Sequence, residues 1–289
     1  MTRISVLFLF IALIAGKVHG QTLSKEIVTL AKKYSADVGV GIITPEGDTV
    51  SVNGNRRYPM QSVYKFHLAL YILDQVDQKK LSLRQEIILT KRDLLPATHS
   101  PLRDSSRIGM RVTLQKLLQY TVSYSDNIGC DILFRLAGGP SKVHDFIQAH
   151  GVSDVAVIYT EEEMHADWEK QFANYSTPKS MVLLLDKFRK GEILSPSSTK
   201  LLMELMQNTT TGTKRLKGNL PEGTIVGHKT GTSGYREGIS PATNDAGIVT
   251  LPGGRTYSIA VFVSKSRETE ETNERIIAEI SRMVYDNLK

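Results

Sequence analysis

The spacing of apolar residues changes twice in the amino-terminal part of the chain. Over residues 22–35 the apolar positions recur at helical spacing, which predicts an amphipathic helix. Strict alternation then appears at residues 38–42 and again at residues 49–52, with the turn-forming segment 45–48 between them. Alternation on both sides of a turn predicts a β-hairpin.

Helical spacing dominates the middle of the chain, and strand-like segments return near its end. Most of residues 62–208 shows the helical period. Segments rich in β-branched residues follow at 224–228, 246–251 and 257–263, and they predict strands. Residues 270–288 again show helical spacing and predict a terminal helix.

This order of elements predicts an α+β fold. Strands that are distant in sequence but similar in kind most simply join one sheet, so we expect an antiparallel five-stranded sheet flanked by the two terminal helices. Residues 21–60 and 209–289 would form this α/β lobe, and residues 61–208 would form an inserted, mostly helical lobe. Within this one compact catalytic unit, the cleft between the lobes is the natural place for an active site.

The first twenty residues have the features of a cleaved signal peptide. Arg3 supplies positive charge, residues 6–15 are an unbroken apolar run, and Val18-His19-Gly20 ends in a small residue. The apolar run is well short of the roughly 20 residues of a membrane-spanning helix, so cleavage near Gly20 is favoured over a membrane anchor. We therefore expect residues 1–20 to be removed and the mature protein to be periplasmic or secreted, without stable membrane contact.

Charge and cysteine content narrow the possible functions. The formal net charge is +6, and removal of Arg3 and Lys17 leaves 34 basic and 30 acidic residues, a net charge of +4. This small excess, without an arginine-rich stripe, argues against nucleic-acid binding. The single cysteine, Cys130, cannot close an intramolecular disulfide.

The sequence predicts neither a metal site nor a bound cofactor. Its seven histidines include no His-x-His or His-Glu-x-x-His spacing, which metal sites commonly use. No phosphate-binding glycine loop precedes a predicted helix. We expect a monomer whose partner is a small-molecule substrate.

A serine and a lysine at the start of a predicted helix are the first candidate catalytic pair. Ser62 and Lys65 are three residues apart, so the hydroxyl and the amine lie on one helical face. A neutral lysine in that position can take the serine proton and create a nucleophile. The same Ser-x-x-Lys pattern recurs at Ser176 and Ser197, so the pair alone indicates no more than a helix start or a surface pair.

Two further motifs distinguish this pair from the other Ser-x-x-Lys patterns of the chain. Ser125-Asp126-Asn127 lies at the end of a helical stretch, and Lys229-Thr230-Gly231 begins late in a β-strand. The ordered set of three motifs resembles the penicillin-recognising serine acyltransferases, that is, β-lactamases and penicillin-binding proteins. The resemblance extends over nearly the whole mature chain, including the order of the elements.

The resemblance implies a role for each motif residue. Ser62 would be the nucleophile, Lys65 its proton acceptor and Ser125 the donor to the leaving nitrogen. The backbone N–H groups of Ser62 and Thr232 would form the oxyanion hole. Gly231 would let the substrate lie against the strand edge. The expected substrate-binding residues are Asn127, Lys229, Thr230, Gly231, Thr232, Arg215, Thr211 and His165.

Deacylation separates a hydrolase from a protein that remains trapped as an ester. Glu161, 36 residues after Ser125, stands where class A β-lactamases carry the glutamate that activates water. The alternatives are a solvated acidic run or a register in which Glu163 acts. His165 replaces an asparagine that helps to hold this water, and the loop resembles that of the cephalosporinase and extended-spectrum branch. Further departures from the commoner loop are Tyr159, Glu162 and Asn174.

Arg215 is the candidate partner of the substrate carboxylate. A guanidinium offers a planar pair of donors that matches a carboxylate. The hydroxyls of Thr211, Thr230 and Thr232 are expected to assist it. The alternative is an exposed arginine in the charged stretch 214–217.

These observations lead to one expected function and several alternatives. The resemblance implies an exported class A serine β-lactamase that hydrolyses cephalosporins and penicillins through a serine acyl-enzyme and so confers resistance. A penicillin-binding D-alanyl-D-alanine carboxypeptidase or transpeptidase is the nearest alternative, and Glu161 argues against it. A non-hydrolytic β-lactam sensor domain and an inactive binding module are the others, and a sensor would need a transmembrane segment that the pattern does not predict.

Overall fold

A computed structural model describes residues 20–94 and 98–289 of the protein. Residues 1–19 of the predicted signal peptide lie outside the described residues. The strands in chain order are β1 (Asp37–Ile43), β2 (Thr49–Val52), β3 (Tyr58–Pro59), β4 (Glu86–Ile88), β5 (Arg111–Thr113), β6 (Val155–Ala156), β7 (Tyr175–Ser176), β8 (Val226–Thr232), β9 (Thr243–Thr250) and β10 (Thr256–Ser264).

Helices occupy both ends of the described chain and most of its middle. The helices are α1 (residues 20–31), α2 (Tyr64–Asp77), α3 (Lys91–Leu94), α4 (Pro101–Asp104), α5 (Leu114–Ser123), α6 (Asn127–Ala137), α7 (Pro140–Ala149), α8 (Glu161–Ala166), α9 (Pro178–Arg189), α10 (Pro196–Gln207) and α11 (Glu270–Leu288). Two 3-10 turns, Gln61–Val63 and Trp168–Phe172, lie before α2 and after α8.

The principal sheet is antiparallel, with the strand order β2-β1-β10-β9-β8. Its central strand β10 is buried on both faces, and its side chains alternate between two apolar cores. Tyr257, Ile259 and Val261 face the core beneath the terminal helices, whereas Ala260 and Phe262 face the inserted helices. The predicted five-stranded antiparallel sheet and α+β fold are confirmed.

The two terminal helices cover one face of this sheet. Ile276, Ile277, Ile280 and Val284 of α11 recur at helical spacing and belong to the same apolar core as the outer face of the sheet. Each is fully buried, and burial of such a side chain contributes about 1.5–3 kcal/mol. The apolar stripe read from the sequence is therefore the surface that attaches α11 to the sheet.

The structure differs from the sequence prediction at several element boundaries. The first helix ends at residue 31 rather than 35, because residues 32–36 form turns and bends. The strand predicted at 224–228 is β8, which continues to Thr232 through polar residues that hide the strand pattern. Short strands, among them the two-stranded antiparallel sheet of β4 and β5, also interrupt the segment predicted as helical.

One apolar core joins the inserted helices to the inner face of the sheet. Ile43, Ala246 and Phe262 of the sheet belong to this core together with side chains of α2, α5, α6 and α9. We propose on this basis that the predicted lobes, 61–208 and 21–60 with 209–289, act as one catalytic unit. Over the described residues, no helix combines the length and the apolar character needed to cross a membrane.

Candidate active site

Ser62 lies in the 3-10 turn that leads into α2. Gln61, directly before it, has φ +48°, a left-handed conformation that costs a non-glycine residue energy and must be held by its surroundings. The turn is held from two sides. Asn244 of β9 donates to the Met60 carbonyl at 3.2 Å, and the Met60 N–H donates to the Asn174 carbonyl at 2.8 Å.

The Lys65 amine is fully buried one turn of helix after Ser62. Its Nζ atom donates to Ser62 Oγ at 3.0 Å, to the Ser125 carbonyl at 2.8 Å and to Asn127 Oδ1 at 2.5 Å. Glu161 Oε1 lies 3.1 Å from the same nitrogen, yet it receives no hydrogen bond from any described residue. An ammonium has three hydrogens, and the other three acceptors already take them.

Ser125 occupies the tight connection between α5 and α6. Its φ is +56°, and the Asp126 side chain accepts from the Gly129 N–H and so caps α6. Asp126 also accepts from Ser100 Oγ and from the Leu102 N–H, and these bonds attach the neighbouring loop to the cap. This conformation turns Ser125 Oγ toward the end of β8.

Lys229 reaches Ser125 from the edge strand β8. Its Nζ atom donates to Ser125 Oγ at 2.9 Å and to the Thr230 carbonyl at 3.0 Å. Burial and the positive charge of Lys65 lower the pKa of Lys229 well below its usual range, while the Asp245 and Glu161 carboxylates act in the opposite direction. An anionic group entering the site would act in the same direction as these carboxylates and favour the charged form of the amine.

The glycine at Gly231 is required by packing as well as by access. A Cβ atom at this position would overlap the backbone oxygen of Met60. The absence of a side chain lets β8 lie against the turn that carries Ser62. Thr232, the exposed last residue of β8, follows directly, and no strand of the described residues pairs with the outer edge of β8.

Arg215 is buried behind this strand end. Its guanidinium donates to Thr232 Oγ1 at 2.8 Å, to the Gly231 carbonyl at 3.2 Å and to the Asn244 carbonyl at 3.0 Å. Its Nε atom donates to Glu274 Oε1 at 3.1 Å. Most of its donors are thus already bonded within the protein. The alternative of an exposed arginine is wrong, because only 3% of Arg215 is accessible to solvent.

Thr211 and Thr230 meet beside the same strand. Their hydroxyl oxygens are 2.6 Å apart. Thr230 is buried, and Thr211 is partly exposed. Two of the three threonines that sequence analysis assigned to the substrate pocket therefore form one hydrogen-bonded pair.

Glu161 is the first residue of α8, and the other candidate glutamate is used differently. Glu163 Oε2 accepts from the Thr160 N–H at 2.9 Å, while Thr160 Oγ1 accepts from the Glu163 N–H at 3.3 Å. This reciprocal capping box commits Glu163 to the helix start. Of the two glutamates, the structure brings Glu161 to Lys65.

His165 lies one turn after Glu161 on α8. Both residues line a cavity of about 360 Å³, together with Arg92, Thr98 and Asp131. The structure thus brings His165 to the Glu161 side of the site and not to the β8 edge, where most of the other predicted binding residues lie.

Three polar residues that support this region, the half-buried Asp131 and the buried His228 and Asp245, were not assigned by sequence analysis. Asp131 of α6 accepts from the backbone N–H groups of Glu161 at 2.8 Å and Glu162 at 3.0 Å. His228 and Asp245, both fully buried, are paired at 2.8 Å next to Lys229. A signal was available for Asp131, because it is an acidic residue within the apolar stretch 128–134 of a predicted helix.

Comparison with known proteins agrees with the fold and shows the family. Residues 22–288 match the model of the β-lactamase enzyme family. The chain is similar to the β-lactamase VEB-1 of Pseudomonas aeruginosa, with 43% identity over 97% of this chain and 95% of the relative. It is also similar to the extended-spectrum β-lactamase PER-1 of Pseudomonas aeruginosa, with 45% identity over 90% of this chain and 84% of the relative.

A solved structure also shows similarity to a β-lactamase. The crystal structure of the extended-spectrum β-lactamase TLA-1 superposes with a TM-score of 0.91 at 48% identity, covering 93% of this chain and 98% of the other. A sheet flanked by terminal helices, with a Ser-x-x-Lys turn at its edge, defines a penicillin-recognising serine enzyme. The chain belongs to the β-lactamase enzyme family, and its relatives place it in class A.

Proposed function

We propose that this protein hydrolyses the β-lactam ring through an acyl-enzyme on Ser62. The observation that carries the proposal is the position of the Lys65 amine, 3.0 Å from Ser62 Oγ and 3.1 Å from Glu161 Oε1. One buried amine thus lies between a nucleophile and a carboxylate, and formation and hydrolysis of an ester need these two groups.

Acylation follows from the groups around Ser62. Ser62 Oγ attacks the lactam carbonyl while Lys65, in its neutral amine form, takes its proton. The carbon–nitrogen bond then breaks, Ser125 donates a proton to the leaving nitrogen, and the proton taken by Lys65 replaces the one that Ser125 gave. Ser125 is oriented for this by Lys229 Nζ at 2.9 Å, and Asn127 Oδ1 holds the Lys65 amine in place.

The developing oxyanion would be stabilised by two backbone N–H groups, those of Ser62 and Thr232. Both belong to rigid elements, since one lies in a doubly held turn and the other at the end of β8. Gly231 allows the two elements to approach closely. Donors fixed before the reaction stabilise negative charge without reorganisation, which is why such holes contribute strongly to catalysis.

Deacylation is assigned to Glu161. Its carboxylate would take a proton from water, the hydroxide would attack the ester carbonyl, and Glu161 would return that proton to Ser62 Oγ as the ester bond breaks and the product leaves. His165, which lines the same cavity, would help to hold this water. Glu163 is bonded in the capping box and is therefore not assigned this role.

Arg215 would act on the substrate carboxylate mainly through Thr232. Its Nη2 atom holds Thr232 Oγ1 at 2.8 Å, and its positive charge lies behind the strand edge. Thr211 and Thr230 would supply the neighbouring hydroxyls. This role differs from the direct contact expected from the sequence, because three of the four hydrogen bonds of the Arg215 side chain go to groups other than Thr232.

Cephalosporins and penicillins are the proposed substrates, and resistance to them is the proposed consequence in an exporting host. PER-1 and TLA-1 are named as extended-spectrum enzymes, which supports cephalosporins as substrates. The same proposal includes export to the periplasm or the medium, a monomeric state and the lack of stable membrane contact. No observation favours a carboxypeptidase, a transpeptidase or a sensor.

Turnover of a chromogenic cephalosporin tests the proposal. The wild-type protein should hydrolyse it repeatedly, and Ser62→Ala should lose this turnover while retaining its fold, because the nucleophile is removed without loss of core volume. Circular dichroism of both proteins controls for folding. Near-normal turnover by folded Ser62→Ala would contradict the assignment.

A further inference from the structure

Asn244 of β9 is attached through its backbone to the strand that carries one proposed oxyanion donor. In the antiparallel pairing of β8 and β9 it lies opposite Gly231, the residue directly before Thr232. Its carbonyl also accepts from Arg215 Nη1 at 3.0 Å. The backbone of Asn244 therefore has a fixed position relative to the N–H group of Thr232.

The side chain of Asn244 reaches the turn that carries the other donor, the N–H group of Ser62. Its Nδ2 atom donates to the Pro59 carbonyl at 2.8 Å and to the Met60 carbonyl at 3.2 Å. An amide nitrogen has two hydrogens, and both are used here. One fully buried side chain thus connects the strand pair β8–β9 to the turn that begins two residues before the nucleophile.

The turn needs such a contact because its backbone is strained. Gln61 has φ +48°, which a residue other than glycine keeps only when its surroundings hold it. The Met60 carbonyl also lies so close to β8 that a Cβ atom at Gly231 would overlap it. A shift of this carbonyl would therefore change the distance between the turn and the strand.

The other end of the Asn244 amide indicates that the side chain is kept for its donors. Among the residues that the structure describes, none donates a hydrogen bond to its buried Oδ1 atom. A buried acceptor without a partner costs stability. The amide therefore stabilises the fold less than a fully bonded one would, while its nitrogen holds the turn before Ser62.

We propose that Asn244 is a positioning residue that fixes the separation of the two oxyanion donors, the N–H groups of Ser62 and Thr232. The inference rests on the proposed function. Asn244 touches no reacting atom and acts through the Pro59 and Met60 carbonyls. Without its donors the turn can relax away from β8, and the two N–H groups no longer match the position of the oxyanion.

This role predicts a kinetic pattern that differs from that of the deacylating base. An oxyanion forms on the same carbonyl carbon in acylation and in deacylation, so loss of Asn244 should slow both steps. Loss of the Glu161 carboxylate should slow deacylation alone and accumulate the ester. When both steps slow in the same proportion, kcat falls and KM changes little.

The test uses two variants and a matched control. Asn244→Ala removes the amide, and Asn244→Leu removes its donors but keeps a branched side chain. Asn53→Ala is the control, because Asn53 Nδ2 donates to the Val38 carbonyl at 2.7 Å next to β2, at the opposite edge of the sheet. It also loses an amide-to-carbonyl bond, and its φ of +49° makes alanine unfavourable. Thermal unfolding by circular dichroism is recorded for all proteins.

Stopped-flow absorbance with a chromogenic cephalosporin measures acylation, and quenched intact-mass spectrometry follows decay of the Ser62 ester. Both rate constants should fall about 10- to 100-fold in the Asn244 variants, because loss of a whole oxyanion donor costs about 100- to 1,000-fold and here the donors are displaced rather than removed. KM should change less than about 3-fold. Asn53→Ala should keep the wild-type rate constants, although its unfolding midpoint falls.

Infrared spectroscopy of the trapped ester gives a readout that a change in stability alone would not move. Glu161→Ala should retain the ester on Ser62, and hydrogen bonds from the oxyanion hole lower the stretching frequency of its carbonyl. Adding Asn244→Ala to this variant should shift the band to higher wavenumber, because the donors hold the oxygen less well. Adding Asn53→Ala instead should leave the band in place.

Three results would overturn the inference alone. These are wild-type rate constants in a folded Asn244 variant, slowing of only one of the two steps, and an unshifted ester carbonyl in the double variant. Failure of both Asn244 variants to fold would also overturn it, because the amide would then support the fold rather than the site. Absence of any Ser62 adduct in Glu161→Ala itself would instead overturn the proposed function, and this inference with it.

Discussion

Replacement of Arg215 by alanine tests how the site handles the substrate carboxylate. The change removes the Nη2 contact to Thr232 Oγ1 and the donors to the Gly231 and Asn244 carbonyls, and it leaves Glu274 without its partner at 3.1 Å. A charge-assisted contact of this kind contributes about 1.5–3 kcal/mol. The expected loss in kcat/KM is therefore about 10- to 150-fold.

The assay compares a cephalosporin with an ester of its carboxylate. Arg215→Ala should reduce kcat/KM for the free acid and have little effect on the ester, because the ester lacks the charge that the guanidinium attracts. Lys214→Ala, which removes the exposed cation next to it, is the control and should leave both values unchanged. Circular dichroism is needed as well, since two buried carbonyls lose their donors and stability should fall by about 2 kcal/mol or more.

A double-mutant cycle with Thr232→Val tests whether Arg215 acts through this threonine. Residues that act through one another show losses that are not additive. The double variant should therefore be little worse than Arg215→Ala alone. Additive losses would show two independent contacts, and an unchanged kcat/KM for the free acid in folded Arg215→Ala would refute the role of the guanidinium.

Two further predictions concern stability and export. Burial lowers the pKa of His67 in α2 to about 4, below its ordinary 6.5, so folding stability should fall as the pH drops from about 6.5 to 4, by up to about 3 kcal/mol. The free energy of unfolding of His67→Leu, measured by chemical denaturation over this range, should depend less on pH than that of the wild type. An identical pH dependence in the two proteins would contradict the assignment. The mature protein from an exporting host should begin near Gln21, and amino-terminal sequencing that finds Met1 would contradict export.

The local part of the active site could be predicted from sequence because helical geometry places residues three apart on one face. Ser62 and Lys65 are such a pair, and the structure sets Nζ and Oγ 3.0 Å apart. The approach of Ser125 and Lys229, separated by more than a hundred residues, depends on how the helices pack on the sheet. Spacing contains no information about that approach, and it was expected only from the family resemblance.

Charge patterns in the sequence were the least reliable guide to which charged side chains are buried in the site. The stretch around Arg215 contains two lysines and resembles an exposed segment, yet backbone carbonyls of β8 and β9 and the side chain of Glu274 enclose the guanidinium. The acidic run 161–163 likewise gives no indication of which carboxylate points inward. The capping box decides this in the structure, because it holds Glu163 at the helix start.

The apolar patterns predicted helices and strands correctly where one face of the element packs on a core. The apolar stripe of α11 and the alternation in β10 both predicted their elements, because burial selects side chains at the period of the backbone. In β8 the polar residues His228, Lys229 and Thr230 are buried by partners from other elements, so the strand lacks a clear apolar alternation. The functional strand was therefore placed too early in the sequence.

The central claim, hydrolysis through an ester on Ser62 that Glu161 resolves, is tested most directly by intact-mass spectrometry of two variants with a cephalosporin. Glu161→Ala should accumulate a lasting adduct on Ser62, because Lys65 can still support acylation while no carboxylate activates water. Glu163→Ala should retain substantial turnover, because its carboxylate serves the capping box. A lasting adduct in Glu163→Ala together with free turnover in Glu161→Ala, or no adduct in either, would contradict the account.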